Sequence, residues 1–183
     1  GKDYKDLNMI VVHLGGGISI TLHKHGKMAD IVSDDEGPFS PERSGRVPGK
    51  DLVNLCDKYG KAKLTKMMRG GGGLVSLLGT NSALKVEEMI LSGDENAKFV
   101  YDAMAYQVSK AVGELSTVVE GKVDRIVITG GIAYSKLMTS AITKRVEFIA
   151  PVVLVPGENE LEALAYGGLR VLKGEEEAHI YTE

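Results

Sequence analysis

The 183-residue chain contains no tryptophan, five prolines and a single cysteine, Cys56. One cysteine excludes an internal disulfide and any cysteine-built zinc site. Aromatic residues make up 5% of the chain and the formal net charge is -3, so the basic, aromatic-studded face of a nucleic-acid binder is missing. No apolar run reaches the length of a membrane span. The opening GKDYKDLN lacks the apolar core of a signal peptide, and the cytoplasm is the expected compartment. Several signatures are absent too: the dinucleotide glycine fingerprint, the lysine-bearing phosphate loop, the GxSxG elbow and the HExxH metal motif. What the chain does have is glycine, 23 residues of it, and an apolar fraction of 43% that suits an ordinary packed core.

The glycines are most informative within Met9 to Leu22, MIVVHLGGGISITL. An apolar run closes on His13, three glycines follow, and a second run alternates Ile18, Ile20 and Leu22 with Ser19, Thr21 and His23. Alternation of period two marks a half-buried strand, so the stretch reads as a hairpin with a turn free of side chains. Such a turn lets backbone N–H groups approach an anion closely. A plain connection between strands remains the other reading, since glycine is the default turn residue.

A turn at Gly26 leads to a third strand, Lys27 to Val32, with Met28 and Ile31 among its apolar members, completing an antiparallel meander. His23 and His25 could share a strand face as metal ligands, but no third ligand is near and a solvated strand end is the expectation. Ser33 to Pro48, SDDEGPFSPERSGRVP, carries three prolines and dense charge and cannot be regular. Within it Arg43 has the group best suited to a phosphoryl or carboxylate, through two parallel hydrogen bonds. The competing assignment is a surface ion pair with Glu42 or Glu36.

From Gly49 the pattern becomes helical, with Leu52, Val53, Leu55, Cys56 and Tyr59 on one stripe and Gly60 as its stop. Cys56 on that stripe reads as a small buried hydrophobe. A short helix carrying Leu64, Met67 and Met68 ends at Arg69, and Gly70 to Gly73 read as a flexible helix-to-helix joint. Asn81 or Ser82 caps a helix through Leu91. A long core helix spans Asp94 to Val119, where Ala103, Ala111 and Gly113 allow close packing on a sheet. Then come a buried strand, Arg125 to Thr129, the pair Gly130-Gly131, a helix from Ala133 to Glu147 and a second buried strand, Pro151 to Val155. Asn159 and Glu162 form a capping box for a last helix ending at Gly174, ahead of an acidic tail. A glycine pair that ends a strand and opens a helix is where open α/β sheets take ligands.

The resulting order, βββ-α-β-α-β-α, predicts an α/β domain of the actin-like (ribonuclease H-like) ATPase type. In it a three-stranded antiparallel meander is continued by parallel strands, with helices on both faces. Within that group the chain resembles the acetokinase family. The resemblance rests on Val12 to Gly17, on Asp35 to Gly45 (DEGPFSPERSG), on Arg69 to Asn81 (RGGGGLVSLLGTN), on Ile128 to Ile132 and on Pro156 to Leu164 (PGENELEAL). Gly16 and Asp34-Asp35 depart from the acetate kinases, which usually carry Asn and Pro-Leu there, and favour the butyrate branch.

The resemblance implies reversible transfer of the γ-phosphoryl of ATP to a short-chain carboxylate, with Mg²⁺. It assigns His13 and Gly15, Gly16 and Gly17 to the phosphates, Arg43 to the phosphoryl in flight, and Gly130, Gly131 and Ile132 to the nucleotide. Glu160, or less closely Glu158, is assigned to the metal. The family has two such halves, and this chain matches the second as a single nucleotide-binding domain over residues 1–183. The missing N-terminal domain and the carboxylate or acyl phosphate are the expected partners. Residues 159–183 are expected to pack on that domain, leaving Leu161, Ala165 and Leu169 bare without it and making a homo-oligomer the expected state. A non-catalytic nucleotide-binding or assembly module is the alternative, against which Arg43 and Glu160 count. A sugar kinase half is weaker, having no place for the SPERSG loop.

Overall fold

The computed structural model describes residues 2–158, 160–178 and 180. Strands β1 (Asn8–Leu14), β2 (Ile18–Lys24) and β3 (Lys27–Val32) form the expected meander. Strand β4 (Arg125–Gly130) runs parallel beside β1, and β5 (Val152–Pro156) parallel beside β4. The five make one sheet in the order β3-β2-β1-β4-β5. Six helices accompany it among the described residues: α1 (Gly49–Met68), α2 (Gly73–Leu78), α3 (Ala83–Leu91), α4 (Glu95–Val118), α5 (Lys136–Val146) and α6 (Glu160–Leu172).

Alternation in β1 and β2 sends Ile10, Val12, Leu14, Ile18, Ile20 and Leu22 to one face, where all are fully buried. Ile126 and Ile128 of β4 continue that face, and Met104, Val108 and Val112 of α4 close on it with Met138 and Ile142 of α5. Each large aliphatic side chain removed from water there contributes about 1.5–3 kcal/mol. Both parallel crossovers, β3 to β4 through α4 and β4 to β5 through α5, step in the same direction across the sheet. Right-handed crossovers of that kind deposit their helices on the same side. The expected cover of both faces is therefore corrected for the described residues: α4 and α5 share one face. The other, bearing Met9, Val11, His13, Ser19, Thr21, Val127 and Thr129, is only half-buried. Helix α6 buries none of its described residues, and Leu161 is 85% exposed.

Several local expectations hold. Gly60 (φ 68°, ψ 163°) breaks α1 into two helical pieces. Ser82 caps α3 by accepting from the Lys85 N–H, and Asp94 caps α4 by accepting from Ala97. Others are corrected. Cys56 is exposed, because in the first piece of α1 only the narrow Leu52–Leu55–Tyr59 edge is even half-buried. Gly113 faces open space rather than the sheet. The segment after β4 opens as a 3-10 turn, Gly131–Tyr134, and α5 begins only after its cap, Ser135. Asn159, the expected cap of α6, lies outside the described residues.

Asp124 joins the start of β1 to the approach to β4. Its carboxylate accepts from the Asn8 backbone N–H at 3.0 Å and from Lys2 Nζ at 2.9 Å. The Asn8 N–H, then Lys2, hold its carboxyl below the usual carboxylate range. A depressed folded-state pKa contributes stability above the unfolded value and loses it as pH falls through the folded one. Asp124→Asn is therefore expected to melt below the parent chain at neutral pH. Thermal melts at stepped pH should show the gap closing as pH falls through and below the ordinary carboxylate range.

Candidate active site

At the carboxyl end of β1 the sheet pairing stops at Leu14–Ile18, leaving Gly15, Gly16 and Gly17 as the turn. None of the three has a positive φ. Absence of a side chain, not left-handed backbone, is what the turn requires. A Cβ on Gly15 would lie 3.1 Å from His13 Nε2, one on Gly16 3.5 Å from Glu42 Oε2, and one on Gly17 2.9 Å from Asp34 Oδ2. The bare turn is thus ringed by an imidazole and two carboxylates. The Gly15 N–H closes the turn on the Gly17 carbonyl at 3.0 Å. Among the described residues the Gly16 and Gly17 amides have no protein acceptor, and Gly16 is exposed.

The irregular segment after β3 is folded onto this turn. The Ser40 hydroxyl and the Glu42 N–H both donate to the Gly16 carbonyl, at 2.7 and 3.1 Å. Gly37 to Pro41 are buried, and Phe39 enters the core. Arg43 follows with its side chain 14% exposed, its Nε donating to Asp34 Oδ2 at 3.2 Å and its Nη1 3.7 Å from Glu42 Oε2. Of the two carboxylates proposed for a surface pair, Glu42 is near, Glu36 is not a partner, and Asp34 holds the guanidinium.

The four-glycine run is not a flexible joint. The Gly70 N–H donates to Glu42 O at 2.8 Å, and the Leu74 and Val75 amides donate to Ser40 O and Pro41 O, both at 3.1 Å. A Cβ on Gly73 (φ +57°) would overlap the Ser40 carbonyl, and one on Gly72 the Ser44 amide. These glycines allow two backbones to touch, and they bring Arg69 to the site, where sequence reasoning had not placed it. Its Nη1 bonds Asp35 Oδ2 at 3.0 Å.

Next to this, β4 ends in Gly130 (φ +94°), where a Cβ would overlap the Leu14 carbonyl, so that glycine serves the β1–β4 contact. Gly131 and the largely buried Ile132 border a hollow of about 140 Å³ that also takes in Ala83, Leu84, Glu87, Tyr134 and Ser135. The last five were missed in the sequence because they come from the start of α3 and the turn before α5, far apart in the chain. Tyr101, whose phenol is pushed well above its usual range by burial, donates to Glu87 and accepts from the Ser135 hydroxyl, both at 3.3 Å, and braces that wall. Glu158 Oε1 lies 3.7 Å from where a Cβ on Gly131 would stand. Glu160, at the start of α6, is exposed.

No cluster of three metal-ligating side chains forms among the described residues. His23 is occupied on both ring nitrogens, by Tyr4 Oη at 2.7 Å and Thr21 Oγ1 at 3.1 Å. His25 instead meets the Lys5 carbonyl at 3.3 Å. No helix among the described residues is long and apolar enough to cross a membrane.

Solved structures share this fold. Acetate kinase from Porphyromonas gingivalis matches 93% of the chain with a TM-score of 0.84 at 24% identity, over 50% of its own length. Acetate kinase from Entamoeba histolytica matches 92% with a TM-score of 0.83 at 18% identity, over 53% of its length. The fold is therefore the actin-like kinase fold expected from the order of elements. The sequence model of the acetokinase family matches residues 1–153. Butyrate kinase 2 of Clostridium acetobutylicum is 54% identical across 98% of the chain and 52% of its own length. The chain belongs to the acetokinase family, and it spans about half the length of these relatives.

The contact at Gly73 gives a direct check on the stitched loop. Gly73→Ala is expected to lose roughly 3 kcal/mol, a fall in Tm of about 6–12 °C for a chain of this size. Gly79→Ala, at φ +72° with open space around it, should lose only about 1–2 kcal/mol. Equal losses in denaturant unfolding would show that Gly73 has no special contact.

Proposed function

We propose that the chain is the nucleotide-binding half of a carboxylate kinase that forms butyryl phosphate, or a close short-chain analogue, from ATP and the acid, and runs the reverse reaction. The observation that carries this reading is the side-chain-free turn with Gly16 exposed, against which sits Asp34, the carboxylate that fixes the Arg43 guanidinium. Support also comes from the butyrate kinase that is 54% identical across nearly the whole chain.

Phosphoryl transfer of this kind asks little covalent help from a protein; positioning and stabilisation of the equatorial oxygens carry it. The Gly16 and Gly17 amides would donate to the β- and γ-phosphates, with His13 beside them. Arg43 presents its terminal nitrogens to the phosphoryl as it passes between oxygens. The hollow between α3 and the Gly131 turn suits the nucleoside, whose apolar faces would lie against Ala83, Leu84 and Ile132. Mg²⁺ usually keeps several waters and takes one or two protein carboxylates beside phosphate oxygens, a demand that Glu160, or Glu158 next to Gly131, fits. When bound, the ion neutralises charge on the β- and γ-oxygens. The acid itself would be held in large part by the other half of the kinase, against which α6 presents its apolar face.

Hydroxamate trapping of acyl phosphate tests the assignment: this chain alone should yield none, and adding the other half in trans should restore it. In the restored kinase Arg43→Ala should lower turnover at least ~100-fold, the usual loss for one transition-state donor, with little change in ATP affinity. A near-normal rate would make this loop mere surface.

A further inference from the structure

Behind Arg43 stands a second layer of charge. Asp34 Oδ2 accepts from Arg43 Nε at 3.2 Å and lies 3.8 Å from Arg69 Nη2. The same oxygen is the atom that a Cβ on Gly17 would meet at 2.9 Å, so this carboxylate sits against the turn. On the far side Arg69 spans Asp35, its Nη1 at 3.3 and 3.0 Å from the two oxygens. Arg43 and Arg69 are also bridged through their backbones.

A guanidinium held through Nε still has its end-on pair of N–H groups, one on each terminal nitrogen, to meet two oxygens of one phosphoryl; here Nη1 lies 3.7 Å from Glu42 Oε2, at salt-bridge range. An arginine left on its own would sample many rotamers, so a fixed holder pre-organises the donor before substrate arrives. A carboxylate so near a phosphate-binding turn repels the ligand unless its charge is offset. Arg69, 54% exposed and 3.8 Å from the same Asp34 oxygen, supplies that offset.

We propose that Asp34 is the positioning residue for Arg43, and that Arg69 is the counter-charge that lets a carboxylate stand beside the phosphate turn. The inference rests on the reading of Arg43 as the group that stabilises the phosphoryl in transfer.

The test is a mutant cycle in the two-domain kinase, assembled from this chain and its other half. Asp34→Ala should lower kcat about 10- to 100-fold, the range for a misplaced catalytic group, with KM for ATP nearly unchanged. Asp34→Asn, which keeps an acceptor for Nε, should recover part of the loss. In an Arg43→Ala background, Asp34→Ala should have almost no further effect. The Arg69→Ala penalty should shrink in the Asp34→Asn background, where there is less charge to offset.

An Asp34→Ala enzyme of normal kcat, or one slowed by the same factor with and without Arg43, would overturn the proposal. An equal Arg69→Ala penalty in both backgrounds would remove Arg69 from it. Should the Arg43→Ala rate be too small to measure, the Arg43 Nε–H resonance of the 183-residue chain decides. It should shift in Asp34→Ala and hold its position if Asp34 acts elsewhere. A normal rate for Arg43→Ala alone is a different result, since it removes the kinase reading itself.

Discussion

Two hydrogen bonds to one carbonyl hold the site together: the Ser40 hydroxyl and the Glu42 amide both donate to Gly16 O. Because that carbonyl is satisfied from behind, the turn offers its amides rather than its oxygens to the open side. The same bonds fix the register of the irregular segment, so that Arg43, one residue on, falls where Asp34 can take its Nε. Loss of both bonds would free the sixteen-residue stretch, Ser33 to Pro48, from the Gly16 carbonyl.

The loop is gripped from its other side by the glycine run. Two chains in such close backbone contact leave no room for Cβ atoms, which is why Gly72 and Gly73 stand where they do. The outcome is a loop in sequence but a buried element in space, wedged between the β1–β2 turn and the junction of α1 and α2. Local rigidity follows from this double attachment, and catalysis by orientation needs that rigidity. The half-buried face of the sheet carries His13 toward the same end, on the side that α4 and α5 leave uncovered.

Much of this was legible in the chain. Period-two alternation located β2 and its inward face, because a one-residue slip would turn Ile18, Ile20 and Leu22 out of the core. Arg43 stood out through chemistry alone. Other features depend on contacts that no local pattern encodes. Asp34 reads as one more surface acid until the fold sets it against Gly17, and Arg69 reads as a helix end until the glycine run ties it to Glu42. Cys56 sits within an apolar stripe whose inward part proved narrower than its hydrophobicity implied. Gly70 to Gly73 misled for a related reason: glycine permits both flexibility and close contact, and only the neighbouring backbone decides which.

A crystal structure of the chain with a non-hydrolysable ATP analogue and Mg²⁺ tests the account most directly. It should show β- and γ-phosphate oxygens within hydrogen-bond reach of the Gly16 and Gly17 amides, with Arg43 still on Asp34 and its terminal nitrogens on the γ-phosphate. A triphosphate bound elsewhere, with Arg43 turned to bulk water, would contradict it.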